Sequence, residues 1–429
     1  LAVWTRRPSR SLAATTPTLS PLEMRPLALR LLLPAVAAAA TPATLSPLKM
    51  RPLGAYCGGT AGGNASGCGE TTPIVWHGEL VMVEHHSDFR VRRQHYPPAG
   101  TVGNDLVVGS VPGSAGVAFV SATVVNSTSG GDPTLWLFGT NDGAMDGGKP
   151  RTQVHTFWSS DPALSPASWK TSKILQLPQN GTAPPGSYLV PWWTAFNTSP
   201  AKGKLGGKDT WVLAIELGSP SALIGQRFTS VFATCDDCAS SGDLSSGWTV
   251  LDPHTHIYRK DRYSACPTLR WYEGWFYVIT LYEGVPNPKG PHCNSQSKPW
   301  GACLAEHIVR SRDLQHWEES PVGGNETIIM GLPDGDDLSG PDHRIIPGSL
   351  LDVNGNAAEK AYCKNETDDI NRSDMDMVTL PNGHTYVVWG SGNQGVPTPA
   401  AGDPPEGMSV AGIVEGTEQQ WVESYFEAR

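Results

Sequence analysis

The sequence predicts an all-β fold, and specifically a β-propeller with five blades of antiparallel four-stranded sheets. The first observation is a motif that occurs three times, in which an apolar run ends with Ser-x-Asp and a Trp follows within a few residues. Its copies are Ser159–Asp161 with Trp169, Ser241–Asp243 with Trp248, and Ser311–Asp313 with Trp317. Copies that recur after roughly 70 to 80 residues, with strand-like runs between them, are typical of a radial array of small sheets.

Composition supports the same fold class. The chain has 429 residues, among them 47 Gly, 37 Pro and 15 Trp, and only 17% of its residues are charged. Neither heptads nor long segments with a 3.6-residue hydrophobic period occur in it, which argues against a helical bundle. Short strands joined by Gly, Pro, Asn and Asp turns have this composition. We therefore expect a turn-rich all-β protein.

The predicted strands define one propeller domain over residues 72–429. Four groups of strand-like runs lie within residues 79–159, 193–233, 268–310 and 375–414, and a less regular N-terminal stretch makes a fifth blade. Blades of about 60 to 80 residues fill the domain, and five falls within the four to eight blades of known propellers. The innermost strands are expected to line a central channel, so that their polar residues meet at one mouth.

The N-terminal 71 residues are predicted to lie outside the propeller. Met24 begins a short basic segment, an apolar stretch and a run of small residues, which together are typical of a secretory signal peptide. We take Met24 as the start of translation, so that residues 1–40 comprise upstream sequence and the signal region. Residues 41–71 are rich in Gly, Ala, Pro and Thr and are predicted to be a linker. Thr18–Leu27 recurs almost unchanged at Thr44–Leu53, and we expect neither copy to belong to the core.

Cysteines and glycosylation motifs also favour export. The eight Cys are an even number, and disulfides are their expected use in a secreted chain. Cys235 and Cys238 form a Cys-x-x-Cys motif without a second motif or a His pair, so we interpret it as a structural loop clip rather than a zinc or redox site. Seven Asn-x-Ser/Thr motifs occur, at Asn64, Asn126, Asn180, Asn197, Asn325, Asn365 and Asn371. We expect a secreted or extracellular glycoprotein.

The net charge restricts the partners. A formal charge of −10 and a pI near 5.6 argue against nucleic acid, because phosphate binding relies on clustered Lys and Arg that this chain lacks. The alternative is that the negative charge is only a solvated surface. After the signal region no run approaches the ~20 apolar residues that cross a bilayer. We expect a monomer with a neutral or polar ligand, without a membrane span, a cofactor or a metal ion.

Acidic residues on or beside the predicted inner strands are the candidates for catalysis, namely Glu216, Glu283, Glu306, Asp374 and Asp376. Cleavage of a glycosidic bond needs two carboxyl groups, one protonated to assist the leaving oxygen and one ionised as base or nucleophile. A turn cap is the alternative role of Asp374, and an ion pair with an Arg is the alternative role of Glu216 and Glu306. The three Ser-x-Asp copies are interpreted as structural, with the Asp closing a turn and the Trp packing between sheets.

Four segments carry a resemblance to a known family: Tyr263–Tyr277, Ile308–Trp317, Asn371–Met377 and Thr385–Gly390. The chain resembles the five-bladed glycoside hydrolases, which include arabinanases, β-xylosidases and invertases, and within them it looks closest to uncharacterised secreted glycosidase-like members. The resemblance covers about residues 192–426. It implies a carbohydrate substrate, and the candidate substrate-binding residues are Asn197, Trp193, Trp271 and Arg270.

One departure from that family affects the expected activity. The family pattern commonly has an acidic Glu in the strand just before a Pro, whereas this chain has Ser264-Ala265-Cys266-Pro267 at that point. The general acid must then come from elsewhere, from Glu216, Glu283 or Glu306, or be missing, and we expect Asp374 or Asp376 to be the base.

Two hypotheses follow. The first is a secreted glycoside hydrolase that acts on a polysaccharide or oligosaccharide by carboxylate acid/base catalysis. The second is a non-catalytic propeller that binds glycan through Trp residues and Asn197. A sialidase ranks third because no Arg triad for a carboxylate ligand is evident in the sequence.

Overall fold

The computed structural model describes residues 48, 50–57, 71–85, 88–94, 105–127, 130–141, 152–177, 194–218, 228–253, 255–258, 265–283, 304–320, 328–330, 371–392 and 408–426. All of them belong to one compact unit, Ala43–Arg429. Their strands form five antiparallel sheets arranged as blades around a central axis. The predicted five-bladed β-propeller is therefore confirmed.

Each blade is an antiparallel meander that begins with its innermost strand. The first described strand, β1 (Met50–Cys57), precedes the first blade in the chain but belongs to the last one. The first blade comprises β2 (Thr71–Trp76), β3 (Glu79–His85), β4 (Phe89–Arg93) and β5 (Asp105–Val108). The second comprises β6 (Val117–Val125), β7 (Thr134–Asn141), β8 (Gln153–Ser159) and β9 (Lys170–Gln176).

The third and fourth blades each end in two short strands that pair with the same neighbour. The third blade comprises β10 (Thr194–Leu205), β11 (Lys208–Gly218), β12 (Phe228–Cys235), β13 (Thr249–Val250) and β14 (Ile257–Tyr258). The fourth comprises β15 (Ala265–Tyr272), β16 (Trp275–Glu283), β17 (Leu304–Ser311), β18 (Trp317–Glu319) and β19 (Ile328–Met330). Strands β13 and β14 both pair with β12, and β18 and β19 both pair with β17.

The fifth blade is completed by the N-terminal strand. It comprises β20 (Asn371–Thr379), β21 (Thr385–Gly392) and β22 (Met408–Val414), and β1 pairs antiparallel with β22. This strand lies within residues 41–71, which we predicted as a linker, and composition could not reveal it because its partner is more than 350 residues away. Met50 is buried in the core, so the expectation that neither copy of the repeated segment contributes to the core was wrong.

Two-residue turns explain why inner strands fold back so tightly. His77-Gly78, Gly206-Gly207 and Glu273-Gly274 join the first and second strands of three blades, and all six residues have positive φ. Positive φ at both central positions is the type I′ geometry, whose twist matches that of the strands it connects. Glycine reaches that region without steric cost, which is why it occupies the second position each time.

Hydrophobic cores lie between successive blades. The core between the first and second blades includes Ile74 and Leu137. The core between the second and third blades includes Phe138 and Leu213. Phe232 lies in the core between the third and fourth blades. Two further cores join the fifth blade to the fourth and to the first. Their members are Tyr277, Trp389 and Trp421 in one, and Met82 and Tyr386 in the other. Each blade is thus buried on both faces, and the ring is closed.

The Ser-x-Asp repeats form the same turn in three blades, as predicted. In each copy the backbone N–H of the Asp donates to the Ser hydroxyl at 3.1–3.3 Å, and the Asp carboxylate accepts the N–H of the residue two positions on at 2.9–3.0 Å. Trp169 and Trp248 are buried and Trp317 is half-buried, each against an inter-blade core. The structural interpretation of these motifs is confirmed.

Two short helices complete the described structure. Helix α1 (Asp236–Ser241) begins beside the disulfide Cys235–Cys238, so the predicted loop clip is confirmed. Helix α2 (Glu418–Glu423) has a capping box formed by Thr417 and Gln420, and it buries Trp421 against the fifth blade. No helix in the described part of the chain is long and apolar enough to cross a membrane.

Candidate functional site at one end of the axial channel

The five innermost strands, β2, β6, β10, β15 and β20, pack side by side in a closed ring. Four of them carry the same irregularity near their N-terminal ends. On β6 two residues lie between Ala118 and Ser121, whereas only one lies between their pairing partners on β7, so β6 has a β-bulge. Equivalent bulges occur on β10, β15 and β20. A β-bulge re-aims side chains locally and is common beside active sites. The repeated bulge therefore marks this end of the channel as the candidate site.

Backbone strain coincides with these bulges. Phe119, Cys266 and Asp374 each occupy the first bulged position of their strand and have φ values of 61°, 49° and 55°. Non-glycine residues rarely adopt positive φ, and such strain persists only where the surrounding structure imposes it. At Asp374 the strained backbone places a carboxylate at the axis.

A small polar chamber lies at the level of the bulges. Its volume is about 30 Å³, and residues from all five inner strands line it. They are Thr71, Thr72, Val120, Ser121, Asn197, Thr198, Ser199, Cys266, Pro267, Thr268, Asp374, Met375 and Asp376. Hydrogen bonds join adjacent strands here: Ser121 Oγ and Thr198 Oγ1 are 2.9 Å apart, and Leu269 N donates to Ser199 Oγ at 2.9 Å. The lining is thus polar and held in place from strand to strand.

Asp374 and Glu306 form the acidic pair of this site. Asn197 Nδ2 donates to Asp374 Oδ1 at 2.9 Å, which links the third and fifth blades across the mouth. Glu306 lies on β17 and is completely buried, and its Oε1 accepts the N–H of Met375 at 3.3 Å. Among the described residues no group hydrogen-bonds its Oε2. Burial, followed by the negative charge of Asp374, raises the pKa of Glu306 well above its usual value, which favours the protonated form of this carboxyl group.

Asp376 has a different environment from Asp374. Its Oδ1 lies 2.5 Å from Arg270 Nη2 and also accepts the N–H of Met377 at 2.8 Å. Arg270 Nε donates to Glu418 Oε2 at 2.7 Å, so one guanidinium bridges two carboxylates. Burial raises the pKa of Asp376 and outweighs the opposing effect of Arg270. Burial is also the largest single influence on Arg270 and lowers its pKa, but Asp376, Glu418 and Tyr272 together outweigh it, so the pKa of Arg270 is raised.

Glu418 reaches the channel from outside the blades. Its position at the start of helix α2 lets its Oε1 accept the N–H of Thr379 at 2.7 Å, while Tyr272 Oη donates to its Oε2 at 3.2 Å. Burial and the charge of Glu418 raise the pKa of Tyr272. The sequence reasoning missed Glu418. The pattern Thr417-x-x-Gln420 could have located the start of the helix, although not its contact with Arg270.

The remaining candidate residues have different outcomes in the structure. Glu216 is buried and its Oε2 accepts the N–H of Cys266 at 2.9 Å, so it supports the bulge of β15 from behind. Glu283 ends β16, but its side chain lies outside the described residues, as does all of Trp193. Trp271 lies in the wall of a second cavity rather than at the polar chamber. Within the described residues no group of three or more His, Cys, Asp or Glu could hold a metal ion.

Comparisons with known proteins give matches among solved structures alone. No family model matches the chain, and no curated protein matches it. Among solved structures, the catalytic domain of the Coprinopsis cinerea GH62 alpha-L-arabinofuranosidase matches with a TM-score of 0.45 and 10% identity, over 87% of this chain and 98% of that one. An alpha-L-arabinofuranosidase from Lactobacillus brevis matches with a TM-score of 0.43 and 9% identity, over 85% of this chain and 92% of that one.

A mutant of the GH43 protein BlXynB from Bacillus licheniformis matches with a TM-score of 0.42 and 11% identity. That match covers 87% of this chain but only 56% of the bacterial protein, so this chain spans little more than half of its length. All three matches are at 11% identity or lower, with TM-scores of 0.42–0.45, and the five-bladed fold is shown by the sheets of this chain itself.

Proposed function

We propose that this protein is an exported glycoside hydrolase that acts on a polysaccharide or oligosaccharide, with Asp374 as the base and Glu306 as the acid. The observation that carries the proposal is the pairing of these two groups at the strained mouth of the channel, where burial and Asp374 raise the pKa of Glu306. Two carboxyl groups whose environments divide them into an acid and a base are what glycosidic cleavage requires.

The chemistry of the mouth supports a neutral, hydroxyl-rich substrate. Thr72, Ser121 and Asn197 supply hydroxyl and amide groups around the acidic pair. A chamber of about 30 Å³ admits water rather than a sugar ring, so the ring would lie above it. Asp374 would then face both the ring and a water molecule. The disulfide Cys235–Cys238 supports the export part of the proposal, because such bonds persist in oxidising compartments, and detection of the native protein in culture medium tests it.

The Asp374→Asn variant tests the catalytic role. We expect release of reducing sugar from arabinan, xylan or inulin to fall about 10²- to 10⁴-fold, because an amide of the same shape replaces the catalytic carboxyl group and cannot act as a base. Affinity for the same polysaccharide, measured by calorimetry, should change much less. Asp243→Asn in a Ser-x-Asp turn is the matched control and should retain full turnover. A parent protein that turns over none of these substrates, or an Asp374→Asn variant with full activity, would contradict the proposal.

A non-catalytic glycan-binding propeller is the second candidate function. The complete burial of Glu306 favours it, because a general acid has to reach the leaving oxygen of the substrate. The half-buried Cys266 also stands where the resemblance implies an acidic Glu. Under this alternative Asn197 and the hydroxyl groups of the mouth bind the glycan. The parent protein then shows no turnover, and Asp374→Asn only weakens glycan binding.

A further inference from the structure

A second and larger cavity lies farther along the axial channel. Its volume is about 470 Å³, which falls within the range of about 300–1,000 Å³ typical of small-molecule sites. Its wall is formed by the C-terminal halves of all five inner strands, whereas the N-terminal halves line the polar chamber. We call it the large chamber.

The ion pair between Arg270 and Asp376 lies between the two chambers. Arg270 lines the large chamber and Asp376 lines the polar one, and their charged atoms are 2.5 Å apart. Arg270 Nη2 also donates to the carbonyl of Met377 at 2.7 Å, and Nη1 donates to that of Leu269 at 2.9 Å. The guanidinium is therefore fixed to β15 and β20 and separates the large chamber from Asp374.

Aromatic residues give the large chamber its chemistry. Trp271 and Tyr272 are half-buried in its wall, and apolar residues of β2 and β6 such as Ile74 and Val124 also line it. Trp271 packs against Gly203, where a Cβ would approach its Cγ to 2.6 Å, so the ring is held in position. The indole Nε1 atom of Trp271 is itself buried, so the wall offers a ligand the aromatic side chains and not this N–H group.

The charges of the large chamber favour an uncharged ligand. Arg270 pairs with both Asp376 and Glu418, and Lys202 Nζ donates to the carbonyl of Ala239 at 2.9 Å. The formal charges of these two cations and two carboxylates sum to zero, so the group does not select an ion of either sign. Aromatic faces pack against the apolar C–H face of a sugar ring.

We propose that the large chamber is a binding site for a neutral saccharide, distinct from the acidic pair at the polar chamber. Aromatic rings and balanced charge occur together in one cavity of suitable size, and the Arg270–Asp376 pair separates it from Asp374. This inference stands independently of the proposed catalysis, because none of its residues belongs to that pair.

Calorimetric titration with xylotriose, arabinotriose and cellotriose tests the proposal on the whole protein. Thr123 lies on the wall of the large chamber, and Thr123→Phe fills part of its volume. We expect at least tenfold weaker binding of whichever trisaccharide the parent binds. Thr249→Phe, on an exposed strand residue, is the matched control and should bind like the parent. Asp374→Asn should also bind this sugar within twofold of the parent.

Trp271→Leu provides a second variant that removes the aromatic ring from the wall. Loss of stacking on the ring predicts about fivefold weaker binding. The proposal is overturned if no trisaccharide binds the parent, or if Thr123→Phe leaves the affinity unchanged while its thermal unfolding matches that of the parent. Binding that Asp374→Asn abolishes and Thr123→Phe spares would instead place the sugar at the polar chamber.

Discussion

The Ser-x-Asp turns and the axial channel both rely on buried or hydrogen-bonded acidic residues, yet they differ in how those residues find their partners. In each turn the Asp carboxylate finds its hydrogen-bond donors within a few positions in sequence, as when Asp243 accepts the N–H of Ser245. In the channel, Arg270 meets Asp376 and Glu418, which are 106 and 148 positions away. Local partners leave a sequence motif and distant ones do not, so only the turns could be predicted in detail.

The comparison also separates two energetic regimes. The turn carboxylates are exposed or half-exposed and lie in a high-dielectric environment, where a lost hydrogen bond is partly replaced by water. Arg270 and Asp376 are mostly removed from water, so an unpaired charge there has no such replacement. Substitutions of similar chemistry should therefore have unequal effects in the two regions.

Arg270→Met is expected to have the largest effect. It leaves Asp376 and Glu418 as buried carboxylates without their cation, and we predict a loss of about 3 kcal/mol in the free energy of unfolding at pH 7. Urea denaturation followed by tryptophan fluorescence measures it. The loss should shrink at lower pH, because protonation neutralises the orphaned carboxylates.

Arg93→Met is the matched control for that variant. Arg93 Nε pairs with Glu79 Oε2 at 2.9 Å, but the two side chains are 46% and 57% exposed. We expect a loss of less than about 1 kcal/mol. Equal losses for Arg270→Met and Arg93→Met would show that the channel pair is not desolvated, and the contrast between the two regions would fail.

The fold was largely predictable because its determinants are periodic. Turn motifs recur in three blades, and Gly-containing hairpins fall where the inner strands end. The closing strand β1 was not predictable, since nothing local distinguishes it from the linker around it and its burial depends on β22. The same holds for Met50, whose role as a core residue exists only once the ring closes.

Glu306→Gln should change the pH dependence of stability. The native pKa of Glu306 is raised above its unfolded value of 4.5, so its favourable contribution is complete below pH 4.5 and is lost as the pH rises toward the native pKa. Over that interval the unfolding free energy of the parent should fall by up to about 1.4 kcal/mol per pH unit relative to the variant. Denaturation midpoints between pH 4.5 and 8 measure the difference.

Other groups do not obscure this result, because they titrate in both proteins. Burial raises the pKa of Asp376, so this group, like Glu306, makes the parent less stable as the pH rises. Burial and Lys173 lower the pKa of His155, so this group makes the parent more stable as the pH rises. Their contributions cancel in the difference between parent and variant. Glu318→Gln, at a side chain that is 53% exposed, should give a curve parallel to that of the parent. A parallel curve for Glu306→Gln would refute a protonated Glu306.

The candidate site was predicted only at the level of residue type. Asp374 and Glu306 were among five acidic candidates, but their pairing depends on a bulge in β20 and on the position of β17 beside it. The sequence left Asp374 and Asp376 as alternative candidates for the base, and the bulge gives them different partners. A one-residue irregularity thus decides which carboxylate is available, and no hydrophobic pattern reports it.

Asp243→Ala and Asp313→Ala are expected to have the smallest effects. Asp243 accepts one backbone N–H in the turn, and its replacement should lower the free energy of unfolding by about 0.5 kcal/mol. Asp313 accepts hydrogen bonds from Gln315, His316 and Ser311, and its replacement should lower that free energy by about 1 kcal/mol. Partial burial raises the pKa of Asp313, but its hydrogen bonds together outweigh this effect, so the pKa is lowered. The stability that Asp313 contributes is therefore present above pH 3.8 and is lost as the pH falls below that value. Chemical denaturation at pH 7 and pH 3 measures both differences. Trisaccharide binding and polysaccharide turnover should remain at parent levels in both variants, and a loss of either would mean that the turns contribute to the functional site after all.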